Sequence, residues 1–229
     1  MSEYLLIVPT YNEEENIKQF IENVIKLELD VLFVDGSSPD NTSIIIQEYQ
    51  KKNSQIFLIN QTSKLGLGEA YREGFQWALE KRYEYMIEMD ADFSHRFEDL
   101  QKLIHNAKKN TLVIGSRYVD GGSIVGWKKR RKYLSIFANK ITKFIKKSNI
   151  NDLTSGFRIF HKDILENINF LNTYSNGYSF QIEMALLTEK NYQVIEVPII
   201  FLERSTGKSK MNLNIIIEAI IFSFKRQKK

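Results

Sequence analysis

Two aspartates one residue apart, Asp90 and Asp92, follow directly on the apolar run 85–89. Such a run is typical of a buried strand. The last residues of a parallel strand emerge at the carboxyl edge of the sheet, where open α/β folds bind their ligands. Two carboxylates at that edge, completed by water and a diphosphate, suit Mg2+ or Mn2+. The alternative is that Asp92 caps the next helix while Asp90 is solvated, because acidic residues are common where a loop meets a helix.

The elements that must position this pair alternate between strands and helices through the first half of the chain. Short loops between them predict a doubly wound, mainly parallel sheet with helices on both faces. The first strand is expected to end at Pro9. Asn12 and Glu15 have the spacing of a capping box for the first helix. Strands are predicted at 4–8, 31–34, 56–59, 85–89 and 112–114.

Polar residues follow three of these strands at their carboxyl ends. Tyr11 and Glu13 come after the first strand, Asp35 comes after the second, and Asp90 and Asp92 come after the fourth. Because these ends share one edge of a parallel sheet, the sequence predicts one crevice of nucleotide size.

The second half of the chain is less regular and locally basic. Nine Lys or Arg residues and no acid lie between Lys128 and Lys147, and apolar positions recur at helical spacing from Leu134. A basic amphipathic helix of this kind is typical of a membrane-surface element. A solvated helix is the alternative, and no nucleic-acid-binding motif accompanies the patch. A helix at 179–189 and one strand at 194–201 are also predicted.

Composition limits the classes of function. The chain of 229 residues has no Cys, which excludes disulfides, thiolate metal sites and Cys nucleophiles. It lacks an apolar run of the roughly 20 residues that a membrane span needs, and its start does not resemble a secretory signal. Of the three histidines, His95 and His105 are expected on or beside a helix and His161 at a helix start. We expect one domain in the cytoplasm.

Eight motifs in order resemble the family 2 glycosyltransferases, and most closely the polyprenyl-phosphate (dolichol-phosphate) mannosyltransferases. They run in the family's order from residue 7 to residue 211, which makes the resemblance specific. The motifs are IVPTYNEEENI at 7–17, VDGSSPDNT at 34–42, KLGLGEAYREGF at 64–75, MDADFSH at 89–95, GSRYVDGG at 115–122, DLTSGFR at 152–158, GYSFQIEM at 177–184 and RSTGKSKM at 204–211.

The resemblance implies a GT-A fold, a nucleotide-sugar donor and a divalent cation, Mg2+ or Mn2+. Asp90, Asp92 and Ser94 would form the metal site, with Asp92 as the direct ligand. Asp92, Arg117 and Arg204 are expected to carry the catalysis. The residues expected to bind the nucleotide sugar are Pro9, Tyr11, Glu13, Val34, Asp35, Gly36, Asp90, Ala91, Asp92, Arg117, Arg204 and Lys210. Those expected at the acceptor phosphate and membrane are Trp127, Lys128, Lys129 and Arg131.

The resemblance further implies inverting transfer of a hexose, mannose from GDP-mannose, onto a polyprenyl phosphate. Residues 1–211 would be the catalytic domain, and the apolar and basic segment 212–229 would lie on a membrane or a partner membrane protein. The enzyme would then associate peripherally with the cytosolic face of a membrane.

One departure from the family pattern leaves the donor open. Relatives usually carry two adjacent Asp residues after the second strand, and here the second position is Gly36. UDP-glucose or UDP-N-acetylhexosamine as donor, or a glycan as acceptor, therefore remain alternatives. A sugar-1-phosphate nucleotidyltransferase lacks support because no Gly-rich signature follows the first strand. A non-catalytic nucleotide-binding module would not need both carboxylates.

Overall fold

The computed structural model describes residues 2–177 and 179–204, so Lys210 and the segment 212–229 lie outside the described residues. The strands are β1 (Tyr4–Thr10), β2 (Asp30–Asp35), β3 (Ile56–Asn60), β4 (Tyr85–Glu88), β5 (Thr111–Ser116), β6 (Ser123–Val125), β7 (Arg158–His161), β8 (Gln193–Pro198) and β9 (Ile200–Leu202). The helices are α1 (Glu14–Val24), α2 (Thr42–Gln50), α3 (Leu67–Glu80), α4 (Phe97–Asn106), α5 (Lys129–Lys146), α6 (Lys162–Asn167) and α7 (Ser179–Glu189).

Seven strands form one sheet in the order β3-β2-β1-β4-β7-β5-β8, and β6 pairs with β9 in a separate two-stranded sheet. Within the large sheet β7 runs antiparallel to both of its neighbours, while the other pairings are parallel. The predicted doubly wound, mainly parallel sheet is confirmed.

Helices cover both faces of the sheet, which explains why its strands are almost continuously apolar. Alternate β1 residues point to opposite faces. Leu5 and Ile7 join the core under α3 and α7, while Leu6 and Val8 join the core under α1 and α4. All four side chains are fully buried. The loops at the carboxyl ends of the strands are therefore anchored to a packed sheet.

The prediction that β1 ends at Pro9 is wrong, because the strand continues to Thr10 with Pro9 opposite Val34 of β2. The carbonyl of Ile7 accepts a hydrogen bond from the Met89 N–H, so the backbone polar groups of Ile7 are directed toward β4. Because this direction alternates along a strand, the backbone nitrogen of Pro9, two residues on, also faces the β4 side. Because β4 has already ended at Glu88, the missing N–H of Pro9 costs no bond in the ladder.

The predicted capping box at the start of α1 is also wrong. The N-cap is Glu13, with no side-chain cap bond, and Asn12 has a positive φ of 55°. Side chains from the loop after β2 and from the first residue of α2 accept the backbone N–H groups here. Glu13 N–H donates to Thr42 Oγ1 at 2.9 Å, and Glu14 N–H donates to Asp40 Oδ2 at 3.2 Å. A tertiary contact between two loops thus replaces the local cap.

The single strand predicted at 194–201 is divided in two. Pro198 ends β8, and β9 turns away to pair with β6. The Leu202 N–H then donates to the Ser94 carbonyl at 2.9 Å, which ties the end of β9 to the loop after β4. This connection carries Arg204 to the aspartate pair.

His161 is the N-cap of α6, as its sequence position predicted. Its Nδ1 accepts the Asp163 N–H at 3.2 Å, which requires that nitrogen to be unprotonated. Burial lowers the pKa of His161, and nearby Asp163 and Glu84 oppose this only in part. Because the unfolded chain then binds the proton more tightly, we expect the free energy of unfolding to fall below about pH 6.5. The loss should be about 1 kcal/mol, the worth of one cap.

The measurement is urea unfolding between pH 5 and 7.5. His161→Asn should remove this part of the pH dependence, because Asn caps helices without titrating. His105→Asn, at an exposed position on α4, is the control and should retain the wild-type profile. An identical pH dependence in all three proteins would contradict the assignment.

Candidate active site

A cavity of about 250 Å³ opens at the carboxyl ends of β1, β2, β3 and β4. The expected nucleotide-sugar residues that line it are Pro9, Tyr11, Glu13, Val34, Gly36, Asp90, Ala91, Asp92 and Arg204. The sheet therefore brings the polar residues of separate loops together, as the alternation of elements predicted.

Asp92 is held rigidly in the loop after β4. One carboxylate oxygen, Oδ1, accepts the Ser94 N–H at 3.0 Å and the Ser94 hydroxyl at 2.5 Å. The other oxygen, Oδ2, forms an ion pair with Nε of Arg204. Asp92 is only 2% exposed, so this carboxylate is fixed before any ligand arrives. Ser94, predicted at the metal site, orients the carboxylate.

Asp90 lies beside a buried histidine. His95 Nε2 is 3.8 Å from Asp90 Oδ2. The centroid of the imidazole ring lies 4.7 Å from that of Phe157 and 5.2 Å from that of Phe201. Burial lowers the pKa of His95 to about 4, so the ring is neutral near pH 7. His95 therefore supports the aspartate pair without adding positive charge to it.

Arg117 and Asp35 are not among the residues that line the cavity. The Arg117 guanidinium forms a two-pronged ion pair with Asp152, with Nε–Oδ2 and Nη2–Oδ1 distances of 2.7 Å. Burial opposes the charge on Arg117, but Asp152 holds its pKa above the ordinary value. Asp35 accepts hydrogen bonds from Thr10 and from the Ser38 hydroxyl and N–H, so it braces its own loop.

The expected acceptor-side residues divide between the surface and the interior. Lys128 and Lys129 are exposed, in keeping with a charged surface. Trp127, in contrast, is only 9% exposed, and its ring centroid lies 5.6 Å from that of Phe201, so it is not on the surface that would contact a membrane. The Arg131 guanidinium lies 3.8 Å from the centroid of the Trp127 ring.

The expected residue set did not include several residues that line the same cavity, among them Gln61, Lys64, Gly66, Leu67, Asn176 and Gly177. A signal for some of them existed in the glycines of KLGLGEAYREGF. A side-chain Cβ on Gly66 would come within 2.6 Å of the Asn176 carbonyl oxygen, so α3 can approach that segment only with glycine there. Gly66 also has a positive φ of 101°, which favours glycine.

The model of the family described as "Glycosyl transferase family 2" matches residues 5–168. The chain belongs to glycosyl transferase family 2. It is 40% identical over 221 residues to the polyprenol monophosphomannose synthase of Mycolicibacterium smegmatis, covering 94% of this chain and 83% of that protein. It is 38% identical over 220 residues to the undecaprenyl-phosphate mannosyltransferase of Micrococcus luteus, covering 95% and 90%.

Solved structures similar to this family 2 glycosyltransferase confirm its GT-A fold. The mannosyltransferase PcManGT from Pyrobaculum calidifontis, in complex with GDP-Man and Mn2+, has a TM-score of 0.60 at 18% identity, covering 90% of this chain and 58% of that one. Glucosyl-3-phosphoglycerate synthase from Mycobacterium tuberculosis, with Mg2+ and UDP, has a TM-score of 0.68 at 15% identity, covering 96% and 78%.

Proposed function

We propose that this family 2 glycosyltransferase transfers mannose from GDP-mannose to the phosphate of a polyprenyl phosphate, with inversion at the anomeric carbon. The observation that carries the proposal is the contact between Asp92 and Arg204 in a cavity at the carboxyl edge of the sheet. The identity of about 40% to two polyprenyl-phosphate mannose transferases supports the choice of sugar and acceptor.

The residues present fit a divalent cation. Asp90 and Asp92 both line the cavity, and Asp92 is already fixed by Ser94. Within residues 2–177 and 179–204 no group of three or more His, Cys, Asp or Glu side chains could hold a metal by itself. Mg2+ does not need such a group, because it is usually held by one or two carboxylates, water and substrate phosphates. A cation bound at Asp90 and Asp92 would stabilise the charge of the leaving diphosphate.

Arg204 provides a second positive charge at the same place. Its guanidinium lines the cavity beside Asp92, and the planar fork of Arg can meet two phosphate oxygens at once. We infer that Arg204 binds the diphosphate and stabilises the charge that develops on it during bond cleavage.

The attacking group in this reaction needs little activation. A phosphate monoester is largely ionised near pH 7, since its second pKa is about 6. The neutral, buried His95 is therefore not required as a base. Attack of the phosphate oxygen on the face opposite the diphosphate inverts the anomeric carbon, and the leaving diphosphate departs with the bonding electron pair.

A lipid acceptor requires contact with a membrane, and α5 offers a surface for it. Tyr133, Phe137 and Phe144 are 68%, 57% and 85% exposed, and their spacing of four and seven residues places them on one helix face. The opposite face buries small and polar side chains, namely Ser135, Ala138, Asn139 and Thr142. Exposed aromatic rings beside lysines are typical of a helix lying in the membrane interface.

In the described part of the chain, no helix combines the length and hydrophobicity needed to cross a membrane. We infer that α5 rests on an anionic membrane, with its aromatic side chains in the headgroup region and its lysines near lipid phosphates.

Replacing Phe137 and Phe144 with Ser should weaken binding to vesicles of phosphatidylglycerol and phosphatidylcholine. Each ring buried in lipid contributes about 1.5–3 kcal/mol at full burial, so the double variant should lose at least about tenfold in affinity. Co-sedimentation with vesicles measures this. Ile44→Ser, at a position on α2 that is 53% exposed, is the control and should bind like the wild type.

The charged part of the surface is tested separately. Replacing Lys128, Lys129 and Lys132 with Gln should weaken vesicle binding at low salt, because each basic residue near an anionic surface contributes about 1 kcal/mol. Replacing the exposed Lys51 and Lys52 with Gln should leave binding unchanged. Equal binding by both charge variants would mean that the basic residues form an ordinary solvated surface.

The proposed donor is tested with a panel of labelled nucleotide sugars. The purified protein, Mg2+ or Mn2+ and polyprenyl phosphate should convert GDP-mannose to a labelled lipid much faster than UDP-glucose or UDP-N-acetylglucosamine. Preferential transfer from a UDP sugar would overturn the choice of donor. No transfer from any donor would overturn the assignment of activity.

A further inference from the structure

We propose that Gln61 recognises the nucleobase of the donor, its Oε1 accepting a ring N–H from guanine or uracil. The inference rests on the proposed function only in requiring a nucleotide as ligand. It names a residue that determines specificity at the end of the cavity where the family pattern is broken by Gly36.

Gln61 lies at the far end of the cavity from the aspartate pair. It directly follows β3, whereas Asp90 follows β4, and the strand order places three inter-strand steps between them. At the usual strand spacing these steps span about 14 Å. An extended nucleoside diphosphate can bridge this distance, with its phosphates at Asp92 and Arg204 and its base at Gln61.

Backbone hydrogen bonds hold Gln61 beside Gly36. The Gln61 N–H donates to the Asp35 carbonyl at 2.9 Å, and the Gly36 N–H donates to the Thr10 carbonyl at 2.9 Å. Both residues line the cavity together with Tyr11. The ends of β1, β2 and β3 thus form one wall that holds the backbone of Gln61 in place.

The orientation of the Gln61 amide is set by Glu73 of α3. Gln61 Nε2 donates to Glu73 Oε2 at 3.0 Å, and an ionised carboxylate can only accept, so the NH2 group must face Glu73. The amide oxygen then points away from α3. A Cβ added at Gly36 would lie 3.8 Å from this Oε1, so the acceptor borders the open space above Gly36.

An acceptor fixed in this way distinguishes between bases. Guanine offers N1–H and uracil offers N3–H at the edge used for Watson–Crick pairing, whereas adenine N1 and cytosine N3 are acceptors there. A ring acceptor facing Oε1 leaves both groups without a donor, which is costly inside a site. Lys64 lines the same cavity, with Nζ 3.6 Å from the Tyr11 ring centroid, and offers a donor for the carbonyl next to the ring N–H.

Position 36 has room for a side chain that could serve the same purpose. A Cβ there would meet Thr10 O and Tyr11 Cδ2 at 3.6 Å, which are ordinary contact distances, and Gly36 does not have a positive φ. A carboxylate at position 36 would reach the space that Gln61 Oε1 now borders. Asp at 36 and Gln at 61 are therefore alternative ways of presenting one acceptor.

The test is calorimetric binding of GDP, UDP, ADP and CDP in the presence of Mg2+. The wild type should prefer GDP or UDP over ADP and CDP. Gln61→Ala should weaken binding of the preferred nucleotide by about 10- to 100-fold, the cost of leaving the ring N–H of its base without an acceptor, and should change binding of ADP and CDP less than about threefold. Gln76→Ala, on the exposed side of α3, is the control and should bind like the wild type.

Adding Gly36→Asp to Gln61→Ala should restore the preference for the same base. If Gln61→Ala does not fold, Glu73→Gln replaces it in the test, because it frees the Gln61 amide to rotate and should reduce the preference between bases. Equal binding of all four nucleotides by the wild type would overturn the inference. An equal loss of affinity for all four nucleotides in Gln61→Ala would also overturn it.

These results are separable from the proposed function. A base preference that depends on Gln61, in a protein that transfers no sugar, would leave the inference standing and remove the proposed activity. Mannose transfer by a protein that binds the four nucleotides with equal affinity would support the proposed activity and overturn the inference about Gln61.

Discussion

Asp92→Asn is expected to lower the rate of sugar transfer by about 10³-fold or more, because the transition state then loses stabilisation of the leaving diphosphate. The substitution preserves the shape of the side chain and its acceptor for the Ser94 N–H and hydroxyl. It removes the negative charge that faces Arg204 and the cavity. Activity and its dependence on the divalent cation should therefore disappear together while the protein remains folded.

The measurement is the initial rate of label transfer to lipid over a range of Mg2+ and Mn2+ concentrations, with thermal unfolding recorded for each protein. Glu98→Gln, which neutralises an exposed carboxylate at the start of α4, is the matched control and should keep the wild-type rate. If Asp92→Asn retains turnover, the assignment of this aspartate is wrong.

Asp152→Asn should lower the free energy of unfolding by about 3 kcal/mol, because removing one partner of a buried ion pair leaves an uncompensated charge inside the protein. The charge left behind is that of Arg117, which is 6% exposed. Two side-chain hydrogen bonds at 2.7 Å and the Arg117 N–H at 3.0 Å converge on Asp152. This pair connects the end of β5 to the segment that precedes β7.

Urea unfolding at pH 7 measures the loss. Lys109→Ala, which removes an exposed lysine that lies 3.8 Å from Asp163 Oδ2, should cost less than about 1 kcal/mol. A cost below 1 kcal/mol for Asp152→Asn would contradict a structural role for the pair. The expectation that Arg117 contacts a phosphate is still a prediction, and the structure gives this side chain a different partner.

The arrangement of the aspartates was predictable because it depends on short-range patterns. Apolar runs alternating with helical periods establish parallel strands, and Asp90 and Asp92 directly follow one of those runs. Sheet geometry then brings the loops after β1, β2 and β4 together. The strand pattern alone did not indicate the GT-A fold or that Arg204 lies beside this edge. Both expectations came from the family resemblance of the motifs.

Features that depend on contacts between distant segments were not predictable. The start of α1 is capped from the start of α2, and Arg117 pairs with Asp152, 35 residues further along the chain. The local pattern cannot identify such partners. For the same reason the sequence did not identify Gln61, because its proposed role depends on its hydrogen bond to Glu73 and its proximity to Gly36.

The orientation of α5 shows a different limit. Helical spacing in the sequence predicts an amphipathic helix here, but periodicity does not specify which stripe faces the protein. In the structure the small residues around Ala138 face inward, and the rings of Phe137 and Phe144 face outward. An aromatic stripe read from sequence alone would ordinarily be placed in the core.

The most direct test of the proposed activity compares two lipid acceptors at one concentration of GDP-mannose. Purified protein with a divalent cation should transfer labelled mannose to polyprenyl phosphate and not to the corresponding polyprenol, which lacks the nucleophilic phosphate. Because GDP-mannose carries an α-linked sugar, an inverting reaction predicts a β-mannosyl phosphate, which NMR of the product identifies. An α-linked product, transfer to the alcohol, or no transfer to the phosphate would contradict the account.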